Sequence, residues 1–119
     1  MAANLVTHVE WDTSDPIGLK DFLSGVFGWQ FAQFGATYFV SDSKQTGIGV
    51  GINKNDRAQI GGGTPNVYID VKSIEETLAK AQSLGGGVAV PKTDIPGMGS
   101  YAFIKASDGN LIGLFETTP

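Results

Sequence analysis

The chain repeats one order of structural elements twice, and this repeat restricts the possible folds more than any other feature. Each half predicts strand, helix, strand, strand, strand, and the halves are offset by just under 60 residues. His8–Asp12 aligns with Asn66–Asp70, and Ile48–Val50 aligns with Ile112–Leu114. Identity between the halves is low, so the prediction of a duplicated module rests on the order of the elements.

The first half opens with alternating residues and then a helix. Leu5–Trp11 alternates and carries β-branched residues, which predicts a strand. Ser14 or Asp15 can cap the helix that follows, Pro16 suits its first turn and Gly28 ends it. Its apolar stripe consists of Leu19, Phe22, Leu23 and Val26. The three strands predicted next are Trp29–Phe34, Ala36–Val40 and Gly47–Ile52.

The second half carries equally clear boundary signals. After the β-rich run Val67–Val71, Ser73 and Glu76 have the spacing of a capping box, and Gly85 begins a glycine run that stops the helix. Asp108-Gly109 predicts a hairpin turn between the last two strands. The three strands predicted after the helix are Val88–Lys92, Tyr101–Lys105 and Leu111–Glu116.

A polar, glycine-rich joint separates the halves. We therefore predict a single domain of 119 residues, with module one over residues 4–54, a joint over 55–64 and module two over 65–117. The expected fold class is α+β, with helices on one face of a largely antiparallel sheet. The opposite face must be covered or must form a pocket.

Composition excludes several classes of function. The chain has no cysteine, which removes disulfides, thiolate nucleophiles and zinc–thiolate sites. Its net charge is −4 and it has no basic patch, so we expect no nucleic-acid partner. No signal peptide and no apolar run of membrane-spanning length is recognisable, so we expect a cytoplasmic protein that does not bind membranes.

Three stretches together resemble the vicinal oxygen chelate superfamily, which includes glyoxalase I, bleomycin-resistance proteins and extradiol dioxygenases. They are THVEWDTSDPIGLKDFLSGVFGW (7–29), the glycine-rich joint, and NVYIDVKSIEETLAKAQSLGGGVAVPKTDIPGMGSYAFIKASDGNLIGLFE (66–116). The resemblance implies two βαβββ modules that form a curled mixed sheet around a cleft, with helices on the outer face. Many members pair two chains, so it also implies a homodimer.

The resemblance further implies a divalent metal, held by His and Glu ligands, that chelates oxygens of the substrate. His8 and Glu116 match two of the four ligand positions, and the same two residues are the candidate catalytic acid and base. Asn66 stands where a third ligand is expected, and amide oxygen is a poor ligand for a borderline metal. The fourth position falls within 47–54, which offers no carboxylate or imidazole in any register.

Other residues are candidates for contact with a ligand. Glu10 shares a strand face with His8, and Tyr68 shares one with Asn66. The loop 94–99 could close over a ligand or could simply connect two strands. Gly47, Gly49 and Gly51 clear one face of their strand, for a ligand or for another backbone. The expected ligand-binding residues are Glu10, Asn66, Tyr68, Met98, Tyr101 and Phe103, and the expected core includes Trp11, Phe22, Phe27, Ile69 and Phe115.

Three functions remain open at this point. The incomplete ligand set favours a protein that binds a small organic molecule in its sheet cleft, of the resistance or sequestration kind. The second is a lyase or isomerase of the glyoxalase type, either with a reduced metal site or metal-free with His8 and Glu116 as acid and base. The third is a dimeric interaction module with a vestigial cleft. A single histidine argues against an extradiol dioxygenase, which needs two for its iron.

Overall fold

The structure is a computed structural model that describes residues 4–56 and 65–118. Most of the predicted joint, residues 57–64, lies outside the described residues. Contacts divide the chain into two compact units. One unit is Thr7–Asn66, and the other begins at Val67 and includes the segment that precedes Thr7.

The first module follows the predicted order and adds one short helix. Its sheet has the order β2-β3-β4-β1, with β1 parallel to β4 and the other neighbours antiparallel. The short helix was not predicted; the Asp42 side chain caps it by accepting a hydrogen bond from the Lys44 N–H. The elements are β1 (Val6–Thr13), α1 (Pro16–Phe27), β2 (Ala32–Phe34), β3 (Tyr38–Ser41), α2 (Ser43–Thr46) and β4 (Gly49–Lys54).

The second module has the predicted strand-helix-strand-strand-strand plan. Its sheet has the order β5-β8-β7-β6, with β5 parallel to β8 and the other neighbours antiparallel. Ser73 caps the helix by accepting from the Glu76 N–H, as its spacing predicted. The elements are β5 (Asn66–Asp70), α3 (Ile74–Ser83), β6 (Gly87–Ile95), β7 (Gly99–Lys105) and β8 (Leu111–Thr117). The α+β class and the two βαβββ modules are therefore confirmed.

Each module has its own apolar core between helix and sheet. In the first module Leu23, Phe39 and Ile52 are buried, and Trp11 packs against them as predicted. In the second module the helix and sheet meet at Val71, Ile74, Ala102 and Leu114, and Ile69 packs against this cluster as predicted. Because alternate strand residues face the helix, the residues between them face the opposite side of each sheet.

For three residues the prediction of a core position was wrong. Phe22 and Phe27 on α1 are 64% and 59% exposed, because the helix turns Leu19 and Leu23 toward the sheet instead. Phe27 stacks on Trp29, with ring centroids 5.0 Å apart. Phe115 pairs with Tyr101 across β7 and β8, on the sheet face opposite α3.

Candidate functional site

In the first module, the pairing of β1 with β4 places His8 beside the glycines of β4. His8 is the register partner of Gly49, and Glu10 is the partner of Gly51. His8 and Glu10 share one face of β1, whereas Trp11 faces α1 and the core. Both face residues are partly buried. The glycines of β4 thus leave room for the predicted site residues of β1.

Tyr38 of β3 fills part of this space and was missed by the sequence analysis. A hydrogen bond of 2.8 Å joins its hydroxyl to Nε2 of His8. A β-carbon at Gly51 would overlap the Tyr38 hydroxyl and lie 2.6 Å from His8 Nε2. The glycine alternation was the available signal, but it could not show that a phenol and an imidazole occupy the cleared space.

Asn66 belongs to a polar network around Asp12 at the end of β1. Three amides donate to the Asp12 carboxylate: Asn53 at 3.2 Å, Asn55 at 3.4 Å and Asn66 at 3.5 Å. These contacts tie the ends of β1 and β4 together through side chains. They also give the side chain of Asn66 a hydrogen-bond partner within the protein. Its contact with a ligand stays a prediction.

In the second module, three predicted ligand-binding residues lie together on the sheet face opposite α3. The rings of Tyr68 and Phe103 are 5.3 Å apart, and those of Tyr101 and Phe103 are 6.3 Å apart, both edge to face. A β-carbon at Gly113 would lie 2.7 Å from Cδ2 of Tyr68, so the tyrosine ring rests directly on the glycine backbone. We call Tyr68, Tyr101 and Phe103 the aromatic face. All three remain partly exposed.

Met98 lies in the tight turn between β6 and β7. Its N–H donates to the Ile95 carbonyl at 3.0 Å, and Gly97 has φ of 78°. With Pro96 before Gly97 this is the pattern of a type II turn. The segment is therefore a hairpin connection within the second module, and Met98 is 45% exposed on it.

Glu116 has two partners, one at the start of α3 and one on β6. One carboxylate oxygen accepts from the backbone N–H of Ile74 at 2.7 Å, and the other lies 3.7 Å from Nζ of Lys92. Lys92 also lies 3.9 Å from Glu75. The carboxylate thus satisfies a donor at the positive end of a helix. Gly113 of the same strand lies on the opposite face, beneath the aromatic ring of Tyr68.

The residues present do not fit the divalent metal that the resemblance implies. Within residues 4–56 and 65–118, no group of three or more His, Cys, Asp or Glu side chains could hold a metal ion. Nε2 of His8 is hydrogen-bonded to the hydroxyl of Tyr38, and the residue paired with His8 on β4 is Gly49. The carboxylate of Glu116 is bound to Ile74 and Lys92 in the second module.

The profile of the Glyoxalase/Bleomycin resistance protein/Dioxygenase superfamily matches residues 6–114. The chain belongs to this superfamily. The match covers both modules, in agreement with the resemblance carried by 7–29 and 66–116. No curated protein sequence matches the chain.

Solved structures share the fold of this superfamily member at low sequence identity. Methylmalonyl-CoA epimerase from Mycobacterium tuberculosis has a TM-score of 0.74 and 14% identity, covering 100% of this chain and 93% of that chain. A hypothetical protein from Bacillus halodurans has a TM-score of 0.76 and 14% identity, covering 98% and 96%. The Mn(II)-bound glyoxalase from Novosphingobium aromaticivorans has a TM-score of 0.67 and 16% identity, covering 97% and 39%. These likenesses establish the fold.

None of the helices in the described segments is both long enough and apolar enough to cross a bilayer.

Proposed function

We propose that this superfamily member binds a small organic molecule that carries an aromatic or unsaturated group. The observation that carries the proposal is the aromatic face of the second module. Its three rings are partly exposed, whereas Ala102 of β7 and Leu114 of the adjacent β8 are buried and pack under α3. Partly exposed aromatic rings on a rigid sheet provide a large apolar contact area at little cost in side-chain entropy.

The arrangement of the rings favours a flat ligand group. Tyr68 and Phe103 meet at an interplanar angle of 66°, and Tyr101 and Phe103 meet at 79°. A flat π system prefers the same edge-to-face and offset geometries as these rings. The hydroxyl of Tyr101 adds a hydrogen-bonding group that can orient a polar substituent.

Ligand-observed NMR tests this proposal with a panel of small aromatic acids, aldehydes and acyl thioesters. For a compound that binds, Phe103→Leu should weaken binding by up to about tenfold, because it removes the ring while keeping an apolar side chain. The matched control is Phe34→Leu, at an exposed phenylalanine on β2 of the first module. No binding across the panel, or equal loss in both variants, would contradict the proposal.

A second candidate function is metal-free acid–base catalysis of the lyase or isomerase type. The hydrogen bond between His8 and Tyr38 favours it, because a histidine with a fixed partner is a suitable proton-transfer group. One structural neighbour is a methylmalonyl-CoA epimerase. The test is exchange of the α-hydrogen of methylmalonyl-CoA for deuterium in D₂O. We expect exchange that is lost in His8→Ala, and no exchange with the wild type would contradict this candidate for that substrate.

The oligomeric state and the location of the protein also stay proposals. We expect the protein to be a homodimer, which sedimentation velocity tests directly, and a monomeric mass at micromolar concentration would contradict it. A cytoplasmic location stays a prediction, to be tested by fractionating cells that express the protein.

A further inference from the structure

Nε2 of His8 is the atom on which a metal site in the first module would depend. It lies 2.8 Å from the hydroxyl of Tyr38, a normal length for a hydrogen bond and too long for a shared proton to be implied. The imidazole is part-buried, which limits the positions that the ring can take without losing this contact. The phenol therefore occupies the direction from which a cation would approach Nε2.

Two glycines of β4 leave space for the side chains of His8 and Tyr38. Residues with side chains at Gly49 and Gly51 would meet the imidazole: a β-carbon would lie 3.1 Å from His8 Nδ1 at Gly49 and 2.6 Å from Nε2 at Gly51. Both glycines are buried, and neither has a positive φ that would demand glycine for backbone reasons. The need for glycine is therefore spatial: at Gly51 the space is taken by His8 and Tyr38, and at Gly49 by His8 and the Thr7 carbonyl oxygen.

We infer that the His8–Tyr38 pair stands in place of a metal centre in the first module, and that Tyr38 is the positioning residue for His8. A ligand of this module would then meet hydrogen-bonding groups of a neutral phenol and imidazole instead of a Lewis acid. The inference is independent of the aromatic face, since it concerns a different module and a different kind of group.

The hydrogen bond predicts which nitrogen of His8 carries the proton. A phenol is a stronger donor than a neutral imidazole N–H, and an imidazole nitrogen is the stronger acceptor of the two. Tyr38 should therefore donate to Nε2, leaving the proton of neutral His8 on Nδ1. A free histidine side chain favours the opposite tautomer, so Tyr38 imposes a measurable change.

The chain contains one histidine, so every imidazole signal of untagged protein in a ¹⁵N NMR spectrum belongs to His8. At a pH where His8 is neutral, the wild type should show the Nδ1–H tautomer. Tyr38→Phe should shift the population toward Nε2–H, whereas the control Tyr101→Phe in the second module should not. An unchanged tautomer in a folded Tyr38→Phe variant would overturn the inference.

A second variant tests the pair independently, in case Tyr38→Phe does not fold. Gly51→Ala keeps both side chains but places a methyl group against them, so it should also shift the tautomer population toward Nε2–H. The same result from Gly51→Ala supports the pair by an independent route. A wild-type tautomer in folded Gly51→Ala would show that the pair does not depend on this glycine and would overturn the proposed arrangement.

Addition of Mn(II), Ni(II) and Zn(II) chloride tests the absence of a metal centre. We expect no stoichiometric binding by calorimetry and no selective Mn(II) broadening of the His8 signals, because Nε2 is engaged with Tyr38. Binding of one metal ion per chain with broadening or shifting of the His8 signals would overturn the inference. That result would leave the proposed ligand binding on the aromatic face intact, because it is measured with Phe103→Leu.

Discussion

The carboxylate of Glu116 on β8 accepts a 2.7 Å hydrogen bond from the backbone N–H of Ile74, the first residue of α3. Ile74 is fully buried, and the N–H groups of a first helical turn have no partner within the helix. Glu116 therefore joins the last strand of the second module to the start of its helix. This role exists whether or not the carboxylate also acts on a ligand.

Removing the carboxylate should destabilise the second module. Glu116→Ala leaves the Ile74 N–H without its acceptor, so we expect a loss of about 1–3 kcal/mol in the free energy of unfolding. Glu116→Gln keeps an acceptor oxygen and should lose less. Urea denaturation measures both, with Glu75→Ala as the control, since Glu75 shares Lys92 but is 79% exposed and should change stability by less than about 0.5 kcal/mol. Equal stability of Glu116→Ala and wild type would contradict the role.

A second prediction concerns Gly99, the first residue of β7. Its φ is 155°, and a β-carbon there would overlap the carbonyl oxygen of Glu116. Because this neighbour is backbone and cannot rotate away, Gly99→Ala should cost at least about 2 kcal/mol in the free energy of unfolding. Gly87 is the matched control, since a β-carbon there meets nothing within 4 Å. Thermal denaturation that places the two alanine variants within 1 °C of each other would refute the prediction.

Much of the fold could be read from local signals. Asp15 and Ser73 cap their helices, Gly28 ends α1 in the left-handed conformation, and the Asp108-Gly109 turn joins β7 to β8. These features depend on residues close in sequence, so periodicity and capping chemistry identify them. The short helix α2 was missed because four residues, Ser43–Thr46, are too few to show a helical period.

The site was only partly predictable, for a different reason. Alternation puts Tyr101 and Phe103 on one face of their strand, but only the structure brings the ring of Tyr68, on another strand, against Phe103. Tyr38 could not be linked to His8, because 30 residues separate them and the contact depends on the pairing of β1, β3 and β4. Strand alternation puts Glu116 on the same face as Leu114, but only the packing of α3 in the structure shows what that face contacts.

A third prediction compares Leu23 with its neighbour Phe22 on α1, because the sequence analysis assigned both residues to one apolar stripe. Leu23 is 7% exposed within the core, whereas Phe22 is 64% exposed. Leu23→Ala should therefore cost about 2–5 kcal/mol in the free energy of unfolding, through lost burial and a residual cavity. Phe22→Ala should cost less than about 1 kcal/mol. Urea denaturation of the two variants distinguishes them, and a larger loss in Phe22→Ala would show that α1 is rotated relative to the arrangement described.

The final prediction concerns the acid stability of the β7–β8 hairpin. The backbone N–H of Asn110, and then its side-chain amide, donate to the Asp108 carboxylate and lower the pKa of that group below its usual value. A carboxylate whose pKa is lower in the folded state stabilises the fold above the unfolded pKa, and this contribution disappears as the pH falls through the folded pKa. The stability difference between wild type and Asp108→Ala should thus be full at pH 7 and shrink below about pH 4. Urea denaturation across this range measures it. Asn110→Ala keeps the backbone donor, so its free energy of unfolding should retain part of the pH dependence that the wild type shows. A stability difference between wild type and Asp108→Ala that stays constant from pH 7 to pH 3 would count against the hydrogen bonds as the source of the pH dependence.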